Sequence, residues 1–137
     1  MSLAFVDTSA WLAIMVARET NHRAATEFLR SSSRLITSNA VLSEAFTWLN
    51  YRGNHSAAVA LEQRLAAAER MGLLRIAWVT KDVHRRAWSI FERHGDQKFS
   101  FCDCASAVIA RDSRADFVFA FDRDFATMGF DMRPYVS

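Results

Sequence analysis

Short apolar runs alternate along this chain with longer stretches whose apolar positions recur every three or four residues, predicting strands and helices in turn. Leu3–Val6 is an apolar run of strand length, and Thr8–Val16 reads as a helix. A second helix is expected across about Asn21–Ser31, then a strand at Leu35–Thr37 ended by the polar pair Ser38-Asn39. Asn39–Asn50 and Ser56–Met71 read as helices, and Gly72 falls where a helix end favours a residue tolerant of positive φ. Leu73–Val79 alternates like a strand. Thr80 can cap a helix running to about Arg93, with Asp82 in its first turn and Gly95 just beyond it. Cys102–Arg111 has almost no polar face, so that helix should be deeply buried. Phe117–Phe121 is a further strand, and the tail, with the chain's one proline at Pro134, suits an edge strand.

Strands alternating with helices argue for a parallel sheet covered on both faces, an α/β fold. In such sheets ligands bind beyond the carboxyl ends of the strands. Asp7 directly follows the first predicted strand and Asp122 the strand Phe117–Phe121, so both are expected at one sheet edge. Glu44 and Asp103 lie in helical segments able to reach that edge. On the Glu44 helix, Val41, Ala45 and Trp48 share a face, with Glu44 at its margin.

These four acids are the candidate chemistry, since each is set in apolar sequence: LAFVDTSAW, AVLSEAF, FSFCDCASA and FVFAFDRDF. An ionised carboxylate in such surroundings is costly unless it is paired, hydrogen-bonded or bound to a metal. No Lys or Arg is close enough in sequence to pair Asp7, Glu44 or Asp103. Each Asp also has a plainer reading. Asp7 can cap its helix, Asp122 can cap a short turn holding Arg123 and Asp124, and Asp103 can favour a helix dipole from the first turn. Glu44, in mid-helix, has no capping role, although an Arg distant in sequence could pair with it. Taken jointly, the four favour one hard-cation site.

Composition narrows the classes. A chain of 137 residues, 51% hydrophobic and 23% charged, suits a single domain spanning 1–137. No stretch reads as a signal peptide or a membrane span, which suits a cytoplasmic protein. The net charge of +2 gives no global nucleic-acid signature. Fifteen of the 17 basic residues are Arg, suited to phosphate contacts but read first as compositional bias of the source genome. Cys102 and Cys104 match no zinc spacing and read as inert thiols. His22, His55, His84 and His94 lie among charged residues and read as surface groups. The four isolated glycines make no phosphate loop, and Ser9, Ser43 and Ser106 have no evident His partner for a serine hydrolase. Asp7-Thr8-Ser9 lacks the second acid of a phosphoaspartyl phosphatase. A helix-turn-helix DNA binder would need a basic recognition helix, which the apolar Cys102–Arg111 segment is not.

FVDTSAWLAI, SNAVLSEAFTWL, FSFCDCASAVIARD and FAFDRDFATMGF, in this order, resemble the four signature segments of PIN-domain ribonucleases. Length and order resemble the VapC-type toxins of toxin–antitoxin pairs, and the resemblance runs from Leu3 to about Phe130. It implies an α/β/α sandwich with a parallel sheet of four to five strands. It also implies a Mg²⁺- or Mn²⁺-dependent endoribonuclease acting on structured RNA such as tRNA or rRNA, with an antitoxin partner and a homodimeric state. Asp7, Glu44, Asp103 and Asp122 match the family's acidic quartet. Asp7, Asp103 and Asp122 would be metal ligands, and Glu44 would orient or deprotonate the attacking water. Asp122 takes the fourth place rather than Asp124, because the family has an aromatic three residues later, where Phe125 stands. One departure is Ala120, where the family often carries Thr or Ser. Arg123, beside Asp122, is the first candidate for a phosphate contact. An inactive PIN-like module for binding RNA or protein is the alternative, against which the intact quartet argues.

Trp11 and Met15 are one turn apart on a helix with more apolar surface than one sheet face covers. Either the second helix buries them through Phe28 and Leu29, or they line a partner groove. The resemblance favours the groove, with an antitoxin segment in it and a basic side chain of that segment reaching the acids.

Overall fold

A computed structural model describes residues 2–31 and 34–135. The strands are β1 (Leu3–Val6), β2 (Arg34–Ser38), β3 (Leu74–Ala77), β4 (Phe117–Phe119) and β5 (Met132–Arg133). The helices are α1 (Thr8–Met15), α2 (His22–Leu29), α3 (Asn39–Tyr51), α4 (His55–Arg70), α5 (Lys81–Arg93), α6 (Phe101–Asp112) and α7 (Asp124–Thr127).

Short β-branched and aromatic runs become strands because the sheet buries them on both faces. Ala4, Phe5 and Val6 of β1 are wholly buried, as are Val118 and Phe119 of β4. The five strands are all parallel, in the order β3-β2-β1-β4-β5. Phe5 pairs with Ile36 on one side and Val118 on the other. That register brings the carboxyl ends of β1, β2 and β4 to one edge. From β1 the chain steps outward to β2 and β3, then returns to the other flank of β1 with β4. β1 and β4 therefore bracket the point where strand order reverses. Right-handed crossovers place α1 to α4 over one face and α5 to α7 over the other. Consistently, α1 packs on α2 and α3, α3 on α4, and α6 on α5 and α7.

Side-chain caps start the helices at the strand ends. Ser38 Oγ accepts from Val41 N at 3.1 Å to open α3, and Thr80 Oγ1 accepts from Val83 N to open α5. Gly72 takes φ +73 after α4, as its position predicts. The apolar α6 is buried without a break from Asp103 to Ala110. Two predicted strands end early. β3 stops at Ala77 because Asn39 Oδ1 takes the N–H of Val79, leaving Trp78 exposed. β4 stops at Phe119, and the N–H of Phe121 goes to Ser9 Oγ at 3.0 Å, so Asp122 does not directly follow the strand. No helix among the described residues is long and apolar enough to cross a membrane.

Candidate active site

Where α1 leaves β1, Asp7 is the N-cap. Its backbone N–H still pairs with Phe119 O of β4, and its carbonyl accepts from Ala10 and Trp11. The Asp7 carboxylate accepts from Ser9 N at 3.4 Å and Ser9 Oγ at 3.1 Å. Ser9 Oγ in turn accepts the Phe121 N–H, so one hydroxyl ties the end of β1 to the chain entering Asp122. Asp122 Oδ1 accepts from Asp124 N at 3.0 Å, closing the turn into α7. Asp103 stands at the third position of α6 in a reciprocal cap. Ser100 Oγ accepts its N–H at 2.9 Å, and its Oδ2 accepts the Ser100 N–H at 3.0 Å. Glu44 projects from the second turn of α3, a helix that touches α6.

All four predicted acids line one cleft of about 340 Å³, together with Asp124, Thr8, Trp48 and Lys98. Asp103, Asp122 and Asp124 each offer an oxygen within 4.8 Å of the others. Burial is not uniform, contrary to expectation. Asp7 and Asp103 are buried, Asp122 and Asp124 half-buried, and Glu44 exposed. Glu44 sits at the margin of the α3 apolar face, and that margin opens to the cleft mouth. Arg123 is exposed at the N-cap of α7 and is not among the residues lining the cleft. Lys98 is the basic side chain that lines it, and it lies in a loop where sequence offers no signal. Asp124 is the second residue passed over, because the aromatic spacing favoured Asp122. The Asp-x-Asp spacing at a helix start does carry a signal, since both acids then fall on one helix end.

The field in the cleft is that of crowded, dehydrated acids. Burial pushes the Asp103 carboxyl up to about 7, with Asp7 and Asp122 adding to the rise and the Ser100 N–H opposing it. Burial likewise lifts Asp7 to about 6 against hydrogen bonds from Thr8 and Ser9. Asp124 is raised by burial and by Asp122. The Cys102 thiol is pushed up to about 12 by burial and then by Glu44, Asp7 and Asp103, so it stays protonated and inert. A divalent cation would relieve this repulsion, and carboxylate oxygens are the donors that Mg²⁺ and Mn²⁺ prefer. Thr8 Oγ1, buried beside Asp7, has no hydrogen-bond partner among the described residues. An unsatisfied hydroxyl and uncompensated carboxyls in one cleft fit a hydrated hard cation.

Trp11 and Met15 lie across α1 from the cleft. With Ile14, Leu29, Leu61 and Leu65 they line an apolar groove of about 440 Å³, rimmed by Arg64. Trp11 is itself buried, and its Nε1 donates to Thr37 Oγ1 at 3.2 Å. Phe28 packs instead on Phe117 and Phe119. Trp11 is thus packed, and it forms one wall of the groove.

The PIN domain family matches residues 4–131. Two curated relatives named 23S rRNA-specific endonuclease VapC20 come from Mycobacterium tuberculosis strains CDC 1551 / Oshkosh and ATCC 25618 / H37Rv. Each is 38% identical over 135 residues, which is 96% of this chain and 99% of the relative. A crystal structure of Mycobacterium tuberculosis VapC20, described as a sarcin-ricin loop cleaving toxin, aligns with a TM-score of 0.82 and 36% identity. The alignment covers 95% of this chain and 97% of that one.

Proposed function

Because the chain belongs to the PIN-domain family, we propose that it is a metal-dependent endoribonuclease, the toxin of a toxin–antitoxin pair, acting on ribosomal RNA. The observation that carries this reading is the convergence of five carboxylates on one cleft at the strand-order switch point. A module that only binds RNA has no use for buried acids held at raised pKa, which repel phosphate when they ionise.

Asp7, Asp103 and Asp122 would hold a Mg²⁺ or Mn²⁺ ion, with Asp124, whose oxygen lies within 4.8 Å of those of Asp103 and Asp122, completing the anionic wall. When bound, such an ion supplies Lewis acidity to a phosphodiester and offsets charge developing on its oxygens. The chain's own residues do the rest. Ser9 and Ser100 fix the orientation of Asp7 and Asp103 by hydrogen bonds already made. Glu44, the exposed acid at the mouth, accepts at its carboxylate a proton from the water that attacks phosphorus. Lys98 offsets the charge of the incoming phosphate. The similarity to the 23S rRNA endonucleases makes 23S rRNA, and its sarcin–ricin loop in particular, the substrate to try first.

The apolar groove beside α1 suits the amphipathic segment of an antitoxin. A segment extending past the start of α1 could set a basic side chain among the acids. A homodimer is the matching assembly, to be read by light scattering.

Purified protein with Mg²⁺ or Mn²⁺ should cut 23S rRNA at one or a few positions, and EDTA should stop it. Intact RNA after incubation with either metal would contradict the reading.

A further inference from the structure

Glu44 and Trp48 on α3 and Arg52 at its C-cap follow at intervals of four residues, so they form one stripe about 6 Å apart per step. Glu44 and Trp48 both line the acidic cleft. Trp48 is a large aromatic left 39% exposed at the mouth of a polar site, where apolar packing gives it no reason to be. Arg52 braces it, with the guanidinium carbon 3.7 Å from the ring centroid. A second hollow adjoins the cleft, sharing Trp48 and Leu12 with it and lined also by Arg18, Glu19 and Asn54. Tyr51, 87% exposed, stands three residues along the same flank. The cleft itself is strongly anionic, so a polyanion can enter only where cations flank it. Lys98 supplies one at the cleft, and Arg18 and Arg52 supply two beyond Trp48.

We propose that Trp48, braced by Arg52, is the platform on which an unpaired RNA base beside the cleaved bond stacks. The proposal rests on the reading of the cleft as a ribonuclease centre, and adds how that centre chooses among RNA positions. Aromatic rings accept any base by its π-face; Arg52 lies over one face of Trp48, so the base takes the opposite face and the guanidinium offsets the charge of the neighbouring phosphate. Paired nucleotides cannot present that face, so the platform restricts cutting to loops and bulges. Protein recognition is the competing use of an exposed Trp. It is disfavoured by the acids on one side of the ring and the arginines on the other.

The test uses a hairpin of the sarcin–ricin loop sequence carrying 2-aminopurine at each loop position in turn. Binding is followed with Asp7→Asn protein, so that the hairpin stays uncut. Stacking should quench the probe at one position. Adding Trp48→Phe should keep the quenching, and adding Trp48→Leu should remove it. With Asp7 intact, Trp48→Leu should lower kcat/KM about tenfold or more, whereas Trp48→Phe should stay within a few-fold of wild type. Wild-type quenching and kcat/KM in the Trp48→Leu proteins would overturn the platform while leaving the nuclease standing. So would normal cleavage by Trp48→Leu with loss of self-association, which would make Trp48 a protein contact. No cleavage by the wild-type protein would overturn the nuclease reading itself.

Discussion

At the residue scale, capping and metal binding are not rival explanations of the aspartates. Asp7 and Asp122 each make the local cap contact that the plain reading assigns, Asp103 closes a reciprocal cap in the first turn of its helix, and all three line one cleft. A carboxylate fixed at a helix start has one oxygen tied and its rotamer chosen, which is what orients it for an ion. Sequence could show the acids in apolar context but not how deeply each is buried. Glu44 is exposed although its neighbours Val41 and Ala45 are buried, because its position at the margin of the α3 face opens on the cleft mouth. The rise in pKa also has a different main cause than mutual repulsion: burial leads, and charge adds to it. The folded protein without metal therefore holds protons that the unfolded chain releases near pH 4. Stability from these groups is full below that pH and is lost as pH rises through about 6 for Asp7 and about 7 for Asp103. Melting temperatures of metal-free protein should thus fall between pH 5 and pH 8, and Asp103→Asn should flatten the fall. Mg²⁺ binds the ionised forms, so its stabilisation should grow over the same range. An identical pH profile in wild type and Asp103→Asn would remove Asp103 from the titrating cluster.

At the element scale, α1 is the wall shared by two cavities, with Thr8 and Ser9 on the cleft and Trp11, Ile14 and Met15 on the apolar groove. The excess of apolar surface on this helix was legible from its composition, whereas the division of its faces was not. Trp11 is a poor probe of the groove. It is buried and donates to Thr37 Oγ1, which itself donates to Val6 O, so Trp11→Ala would leave a cavity and remove a buried hydrogen bond, costing about 3–5 kcal/mol of stability. Met15 is half-buried at the rim, with Arg64 3.5 Å from its sulfur. Met15→Lys sets a second cation there and spoils the apolar lining at little cost to the core. Calorimetry should show antitoxin binding weakened at least tenfold, with RNA cleavage unchanged. Full affinity in folded Met15→Lys protein would move the antitoxin off this groove. Helix and strand identities from β1 to β4 were legible, because apolar period and caps agree, whereas α7 read only as a short turn. Ends were less so, since a side chain such as Asn39 or Ser9 can claim the N–H that would have extended a ladder.

At the scale of the whole molecule, the parallel sheet was expected from alternation, but no local signal orders its strands. The return of β4 to the far side of β1 is what brings Asp122 to Asp7, more than a hundred residues away in sequence. The four signature segments implied that meeting, and the topology explains it. Lys98, from the loop before α6, joins the site only once distant segments are assembled around the cleft. Cleavage by this assembled acid cleft is tested by comparing wild type with Asp7→Asn on the same 23S rRNA fragment at saturating Mg²⁺, with melting curves for both. Asn can keep the helix cap but not the charge. The Asp7→Asn protein should melt at or above the metal-free wild-type temperature and cut at least a hundredfold more slowly. Undiminished cleavage by folded Asp7→Asn would contradict cleavage by this cleft.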